Sequence, residues 1–387
     1  EAGLASAGMD VKLLGPLPTP AIAYLTQTAR AKAGVVISAS HNHYRDNGIK
    51  FFSPNGSKLS DELQAEIEAL MPEPLTVVDA EQLGKAYRMD DAVGRYVEFC
   101  KGTIPRRMDF RGLRVAIDCA NGASYQSAPT VFHELGADIE VINNKPNGYN
   151  INEDCGSTHI GGLQKLVIDK QCDVGIAFDG DADRVMMVDK LGRVVDGDQL
   201  IFVIASSLQK QDRLKGGVVG TLMTNLGMEL ALKDLGIPFV RAKVGDRYVL
   251  QELQQRGWTL GGESSGHLIC LDKTTTGDGL VSALQVLAQL QFMQQPLHEL
   301  AGQMTMFPQQ MINVKLPRGI NARDVCELAQ VKDAVTKGES QLAERGRVLL
   351  RPSGTEPVIR VMVEGEDADL VAKTCADISA QVSAQIA

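Results

Sequence analysis

Short β-rich runs alternate with helical patterns along most of this chain, and that alternation constrains the fold more than any other feature. The runs lie at 34–38 (GVVIS), 113–118 (LRVAID), 139–142, 174–178 (VGIAF), 185–189 (VMMVD) and 217–221. Between them, 61–71, 127–135, 198–209 and 279–293 carry apolar residues three and four apart, the spacing of a helix with a buried face. Gly136, after Leu135, reads as a helix C-cap. Strands that alternate with helices cover their sheet with helical layers, so an α/β fold is expected rather than a bundle or a sandwich. The tail differs. Strands at 311–316 and 348–350 flank a long charged helical stretch at 321–345, and a strand at 358–363 precedes a final helix from 367, which predicts a separate small α+β domain.

A chain of 387 residues holds two to four units of about 150 residues. Polar or Pro-containing stretches at 102–109, at 191–197 and near Phe307 and Pro308 divide it into 1–100, 101–192, 193–306 and 307–387. The first three read as distant copies of one fold. Thirty-nine basic against 48 acidic side chains leave a net charge of −9, which counts against nucleic acid or an anionic membrane as the main partner. Phosphorylated small molecules stay open, because they need only local positive charge. No apolar run approaches the roughly 20 residues of a bilayer span, and the opening EAGLASAGMD lacks the basic flank and apolar stretch of a signal peptide, so a cytoplasmic protein is expected. Seven scattered cysteines with no C-x-x-C predict buried free thiols rather than a disulfide framework or a zinc site.

Four loops carry the chemistry. Asp179, Asp181 and Asp183 alternate in DGDADR directly after the run VGIAF, where three carboxylates can converge on one hard cation such as Mg2+. A solvated acidic turn is the plainer reading, but three carboxylates packed together without a cation repel one another. A calcium loop would need Gly and Glu where Arg184 and Lys190 stand. Arg184 suits a phosphate contact. The second loop, Ser40-His41-Asn42 with Lys50 downstream, offers a nucleophile or phosphoryl carrier, although the same residues also make ordinary turns. In the third, GGESSGH, Glu263, Ser265 and His267 suit hydrogen bonding to sugar hydroxyls, with Asp246, Arg247 and the run TTTGDG nearby in sequence. The fourth, RPSGTEP with Arg360, has the composition of an anion cradle: Arg351 for bidentate contact, Ser353 and Thr355 as donors, and Gly354 for inward-facing backbone N–H groups.

Taken in order, SASHN with DNGIKFF, CGSTH, DGDADR, GGESSGH with TTGDG, and RPSGTEP running into IRVMVEGED resemble the α-D-phosphohexomutase superfamily over the whole chain, and most of all its bacterial phosphoglucosamine mutase branch. The resemblance implies three related mixed α/β domains and a smaller C-terminal α+β domain around a central cleft. It implies that Ser40 is a phosphoserine, that Asp179, Asp181 and Asp183 bind Mg2+ with a phosphate oxygen on Ser40 completing the site, and that Glu263 and Ser265 hold the sugar. His41, Asn42 and Arg184 would line the substrate site, and Arg351, Ser353, Gly354, Thr355 and Arg360 would grip the phosphate that is not reacting. Lys50, His267 and Arg247 are unranked candidates for proton transfer or electrostatic help. The implied reaction interconverts glucosamine 6-phosphate and glucosamine 1-phosphate through glucosamine 1,6-bisphosphate, feeding UDP-N-acetylglucosamine and cell-wall synthesis. A small hexosamine phosphate is the expected partner, with a homodimer as a candidate assembly.

Two positions depart from the family pattern: His43 stands where Pro usually follows SHN, and Ser264 where Gln or Asn is common. The family's early Gly-Ile-Arg-Gly segment has no counterpart, and Glu1 opens inside what reads as a helix end. A preceding segment of about 60 residues, with an Arg reaching toward the phosphoserine, is therefore expected. The alternatives are a phosphomannomutase/phosphoglucomutase, which differs mainly in the sugar loop, and an Mg2+-dependent sugar phosphatase, which would pass the phosphoryl group to water. A noncatalytic sugar-phosphate module would be expected to have lost Ser40 or the aspartates.

Overall fold

The computed structural model describes residues 1–317, 320–353 and 357–386. The run VGIAF forms the strand Val174–Phe178, buried at every position. Val174, Ile176 and Phe178 enter the main core, while Ala177 packs on the opposite face with Leu163 and Val167, as expected for a sheet covered on both sides. This strand is central in a five-stranded sheet of order Asp138–Ile142, Arg114–Asp118, Val174–Phe178, Val185–Asp189, Val194–Val195. The first three strands are parallel, with Ser127–Glu134 and Gly161–Asp169 in the crossings, and Val185–Asp189 turns back antiparallel.

The next unit repeats that design. Phe239–Ala242, Val218–Thr221 and Leu260–Gly262 lie parallel in this order, Leu226–Asp234 and Asp246–Arg256 fill the crossings, and Leu268–Cys270 returns antiparallel. In the first unit Gly34–Ser38 and Gly48–Phe52 form an antiparallel pair with Val35, Ile37 and Ile49 exposed, and Val11–Leu13 runs parallel to Ala86–Arg88. One buried cluster passes through all three units. The helix Gly279–Met293 is buried on every side as far as Leu290, so its few polar residues there, Ser282, Gln285 and Gln289, are buried with it. Among the described residues no helix is long and apolar enough to cross a membrane.

The tail has a core of its own, built from the antiparallel strands Gln309–Lys315, Val358–Gly365 and Gly346–Pro352 and the helix Ala368–Ala384. The stretch expected as one helix over 321–345 is instead two, Ala322–Glu327 and Ala329–Leu342, separated at Leu328 by extended backbone (φ −60°, ψ 139°). On one continuous helix Val325 and Val331 would point about 120° apart. The break lets both enter the tail core.

Buried polar contacts tie the tail to the third unit. The Asn225 side chain accepts the Phe307 N–H and donates to its carbonyl, both at 3.0 Å. Arg347 donates to the Leu222 and Thr224 carbonyls at 2.8 and 2.7 Å and to Glu364, whose other oxygen accepts the Leu226 N–H. Any hinge at Phe307 and Pro308 must work against this clamp. Behind it, Asp198 accepts the Asn225 N–H at 2.7 Å. Burial, helped by the charge of Asp196, pushes the Asp198 carboxyl up from 3.8 to about 7. Between those values the folded chain holds a proton that the unfolded chain has lost, so this group's contribution to stability falls as pH rises through the window. Asp198→Asn keeps an acceptor for Asn225 and should flatten the slope by up to a few kcal/mol, as an order of magnitude. Denaturant melts of both proteins at about pH 4.5 and 7.5 check this, and parallel slopes would refute it.

Candidate active site

The acidic loop is the tip of a hairpin, joining Val174–Phe178 to its antiparallel neighbour Val185–Asp189. Ala182 takes a left-handed φ of 56°, tightening the turn. Asp179, Asp181 and Asp183 are all buried, and one carboxylate oxygen of each lies within 4.8 Å of the others. Each carboxylate spends one oxygen on protein donors. Asp179 Oδ1 accepts the Arg184 N–H at 3.1 Å, Asp181 Oδ2 accepts Thr19 Oγ1 at 2.5 Å and Lys50 Nζ at 2.6 Å, and Asp183 Oδ2 accepts Lys50 Nζ at 3.3 Å. The opposite oxygens, Asp179 Oδ2, Asp181 Oδ1 and Asp183 Oδ1, are buried and have no hydrogen-bond partner among the described residues. Leaving such atoms unpaired is expensive. Three hard oxygens left over in one buried turn fit a divalent cation such as Mg2+.

Burial, then the charges of Asp183 and Asp181, push the Asp179 carboxyl well above the usual range. Burial acts on Asp183 in the same direction, but His267, Lys50 and Arg184 outweigh it and hold that carboxyl low. The Lys50 ammonium is likewise held above its ordinary value by Asp183 and Asp181 despite burial. It therefore stays charged.

The serine loop presses directly on this turn. A Cβ on Gly180 would stand 2.5 Å from the Ser40 carbonyl oxygen and 2.8 Å from the Asn152 amide, so only glycine admits the contact. Asn152 Nδ2 donates to the carbonyls of Ser40 and Asn42, both at 2.8 Å. Ser40 sits at φ 53°, a left-handed conformation uncommon outside glycine and a mark of strained functional positions. Its N–H donates to Ser38 Oγ at 2.8 Å, and its Oγ lies 3.4 Å from His41 Nδ1. Burial and the Arg184 charge lower the His41 imidazole.

The third loop is again a hairpin tip, between Leu260–Gly262 and Leu268–Cys270. The Gly266 carbonyl accepts the Val185 N–H at 2.9 Å, which pins it beside the acidic loop. Glu263 Oε1 accepts the Gly245 N–H at 2.9 Å, and Ser265 is exposed. His267 is buried between two carboxylates, with Nδ1 3.7 Å from Asp183 and Nε2 3.5 Å from Asp246. Burial alone would raise Asp246; His267 and Lys58, with which it pairs, bring it below its ordinary value. Arg247 is turned to an ion pair with Asp61. Of the three proton-transfer candidates, Lys50 and His267 therefore reach the acidic loop.

In the tail, Arg351 and Arg360 stand directly opposite each other on neighbouring strands. Burial and then the Arg360 charge lower the Arg351 guanidinium. Gly354 and Thr355 lie outside the described residues. The sequence reading did not single out Thr19, Asn152 or Lys58. The Pro18-Thr19-Pro20 start of the helix Thr19–Thr28 was a local signal for the first, and none marked the others.

Family models describing the phosphoglucomutase/phosphomannomutase α/β/α domains I, II and III match residues 1–76, 95–192 and 196–307, and the model of the C-terminal domain matches 311–381. The chain belongs to the phosphoglucomutase/phosphomannomutase family. It is 58% identical to a phosphoglucosamine mutase of Ectopseudomonas mendocina, over 98% of this chain and 86% of that one. With a phosphoglucosamine mutase of Actinobacillus pleuropneumoniae serotype 7 the identity is 56%, over 97% and 84%. The fold is shared with a phosphoglucomutase/phosphomannomutase family protein from Burkholderia thailandensis (TM-score 0.80, 21% identity, 99% and 84% of the two chains). It is also shared with the Aspergillus fumigatus N-acetylphosphoglucosamine mutase solved with GlcNAc-6P and magnesium (TM-score 0.75, 19% identity, 95% and 92%).

The leftover oxygens make divalent-cation binding measurable apart from catalysis. Mg2+ should raise the melting temperature of the wild type, and Asp181→Asn should lower Mg2+ affinity by about tenfold or more in calorimetric titration. Equal affinity in the two proteins would remove Asp181 from the site.

Proposed function

We propose that the protein is a phosphoglucosamine mutase that interconverts glucosamine 6-phosphate and glucosamine 1-phosphate in the cytoplasm, with Ser40 as the phosphoryl carrier. The observation that carries this reading is the seating of the Ser40 carbonyl on Gly180, which sets a strained serine against three buried aspartates. Phosphoserine gives its phosphoryl group to O1 of glucosamine 6-phosphate, and the hydroxyl proton of O1 ends on Ser40 Oγ. The resulting 1,6-bisphosphate turns over in the cleft. Its 6-phosphoryl group then passes to Ser40, the serine proton passes to O6, and glucosamine 1-phosphate leaves.

Mg2+ held by Asp179, Asp181 and Asp183 would offset the charge that develops on the transferring group. Lys50, fixed by two of those carboxylates, supplies a lasting positive charge beside the transfer. His41, Asn42 and Arg184 contact the reacting phosphate. Glu263, with one oxygen steadied by Gly245, keeps the other for the sugar, and Ser265 joins it from the exposed side of the loop. Arg351 and Arg360 face each other across adjacent strands, and two guanidinium groups brought to one place suit a doubly charged phosphate. Arg351 and Arg360 therefore hold the distal phosphate, together with Ser353, Gly354 and Thr355.

Ser40→Ala should lower mutase turnover on the order of 10³-fold or more while the three aspartates still bind Mg2+, and the phosphopeptide spanning Ser40 should vanish from the variant. Full activity in the variant would end the assignment. Arg351→Ala should raise KM about 10- to 100-fold with a smaller change in kcat, the range expected for one charge-assisted phosphate contact. Glucosamine phosphate should be turned over in preference to glucose or mannose phosphate. Comparable kcat/KM values for mannose 6-phosphate would move the protein to the phosphomannomutase/phosphoglucomutase reading, and release of inorganic phosphate in place of isomer would make it a phosphatase.

A further inference from the structure

A cavity of about 480 Å³ lies away from the acidic loop, among the stretch that follows the helix Ala92–Gly102, the helix Gly197–Lys210 and the C-terminal half of Gly279–Met293. Its size is that of a small-molecule site. Two glutamines of the last helix line it, Gln285 and Gln289, 8% and 5% exposed, although the rest of that helix is almost wholly apolar. Each glutamine is half satisfied. Gln285 Nε2 donates to Thr103 Oγ1 at 3.1 Å, and Gln289 Oε1 accepts Gln211 Nε2 at 2.7 Å. Gln285 Oε1 and Gln289 Nε2 have no hydrogen-bond partner among the described residues, and neither is sealed from the cavity as the fully buried unpaired atoms are.

The two residues are one helical turn apart and share a face. The unspent acceptor and the unspent donor stand on one helix face, and a planar amide heterocycle, which presents an N–H and a carbonyl on one edge, offers the complement of each. Met108 and Phe292 add apolar wall for the ring faces. Arg213 and Lys215 line the same cavity, and neither has a carboxylate partner among the described residues, whereas Lys273 is paired with Asp272 at 3.2 Å. Arg213 and Lys215 are both solvent-exposed, and Arg213 also donates to Gln211 Oε1 at 3.2 Å, so together they form a basic rim that suits an anionic tail on the heterocycle. Gln285 and Gln289 stand roughly 9 and 15 Å along the helix from Gly279, whose N–H holds the acidic loop, so this cavity is separate from the sugar-phosphate site.

We infer that the cavity is a second ligand site, for a pyrimidine nucleotide read through Gln285 and Gln289 and anchored by Arg213 and Lys215. Uridine 5′-monophosphate titrated calorimetrically into the Mg2+-loaded protein should bind saturably, one per chain. Gln285→Leu and Gln289→Leu should each weaken it about tenfold. Arg213→Ala combined with Lys215→Ala should do the same and erase the preference for the nucleotide over uridine. The two basic residues lie outside the buried core, so that variant tests the site even if a glutamine variant fails to fold. Arg351→Ala should leave the affinity unchanged. The inference is overturned if no saturable binding occurs, if inorganic phosphate binds as tightly as the nucleotide, or if binding is lost in Arg351→Ala and kept in the cavity variants, which would put the nucleotide in the sugar-phosphate cleft.

Discussion

Three carboxylates buried in one turn are the constraint around which the first three units are arranged. Their mutual repulsion has to be offset, and the offsetting groups come from different parts of the chain: Lys50 from the first unit, Arg184 from the loop itself and His267 from the third. The backbone of the turn is shared out in the same way. The Asp181 carbonyl accepts the Thr19 N–H, the Gly180 carbonyl that of Ala123, and the Ala182 carbonyl that of Gly279. Such bonds leave the loop little freedom to rotate its carboxylates toward solvent. A geometry that would be unstable in an isolated unit is thereby kept by its neighbours.

All four chemical loops occupy the same kind of place. Each joins a strand to an antiparallel partner: 34–38 to 48–52, 174–178 to 185–189, 260–262 to 268–270 and, in the tail, 346–352 to 358–365. In the second and third units the hairpin follows a strand of the parallel part of the sheet. Repetition of the unit therefore supplies repeated tips, and a cluster assembled from tips can hold different residues in each copy without disturbing the sheets behind them. The acidic tip holds charge, the serine tip a hydroxyl, and the third a carboxylate and an imidazole.

This arrangement also explains which parts were legible in the sequence. The acidic loop was, because its three carboxylates sit within five residues immediately after an unmistakable strand, so local spacing already implied convergence. Thr19 and Asn152 were not, because their roles exist only through contacts 162 and 112 residues away. Gly48–Phe52 gives no alternating strand signal, since only its final residue is buried. The strand Leu260–Gly262 has three residues, two of them glycine, and carries no β signal of its own. The break at Leu328 leaves no mark in the sequence, because helical periodicity records the faces of two short helices as readily as those of one long one.

Lys50 and a divalent cation are not substitutes for each other at the acidic turn. Lys50 takes the Oδ2 atoms of Asp181 and Asp183, which leaves the Oδ1 atoms of both for something else. With all three carboxylates ionised and His267 neutral, the two fixed cations Lys50 and Arg184 leave the turn one negative charge in excess, and a phosphoryl dianion approaching it would be repelled. Binding one divalent ion reverses the sign. In a buried setting, where charges interact far more strongly than in water, that reversal decides whether a phosphorylated sugar is drawn in or kept out. On the proposed function, the serine loop must then stay close enough to the turn for Ser40 to meet a phosphoryl group held there. The missing Cβ of Gly180 and the clamp of Asn152 provide that closeness, at the expense of holding Ser40 in a backbone conformation it would not otherwise adopt.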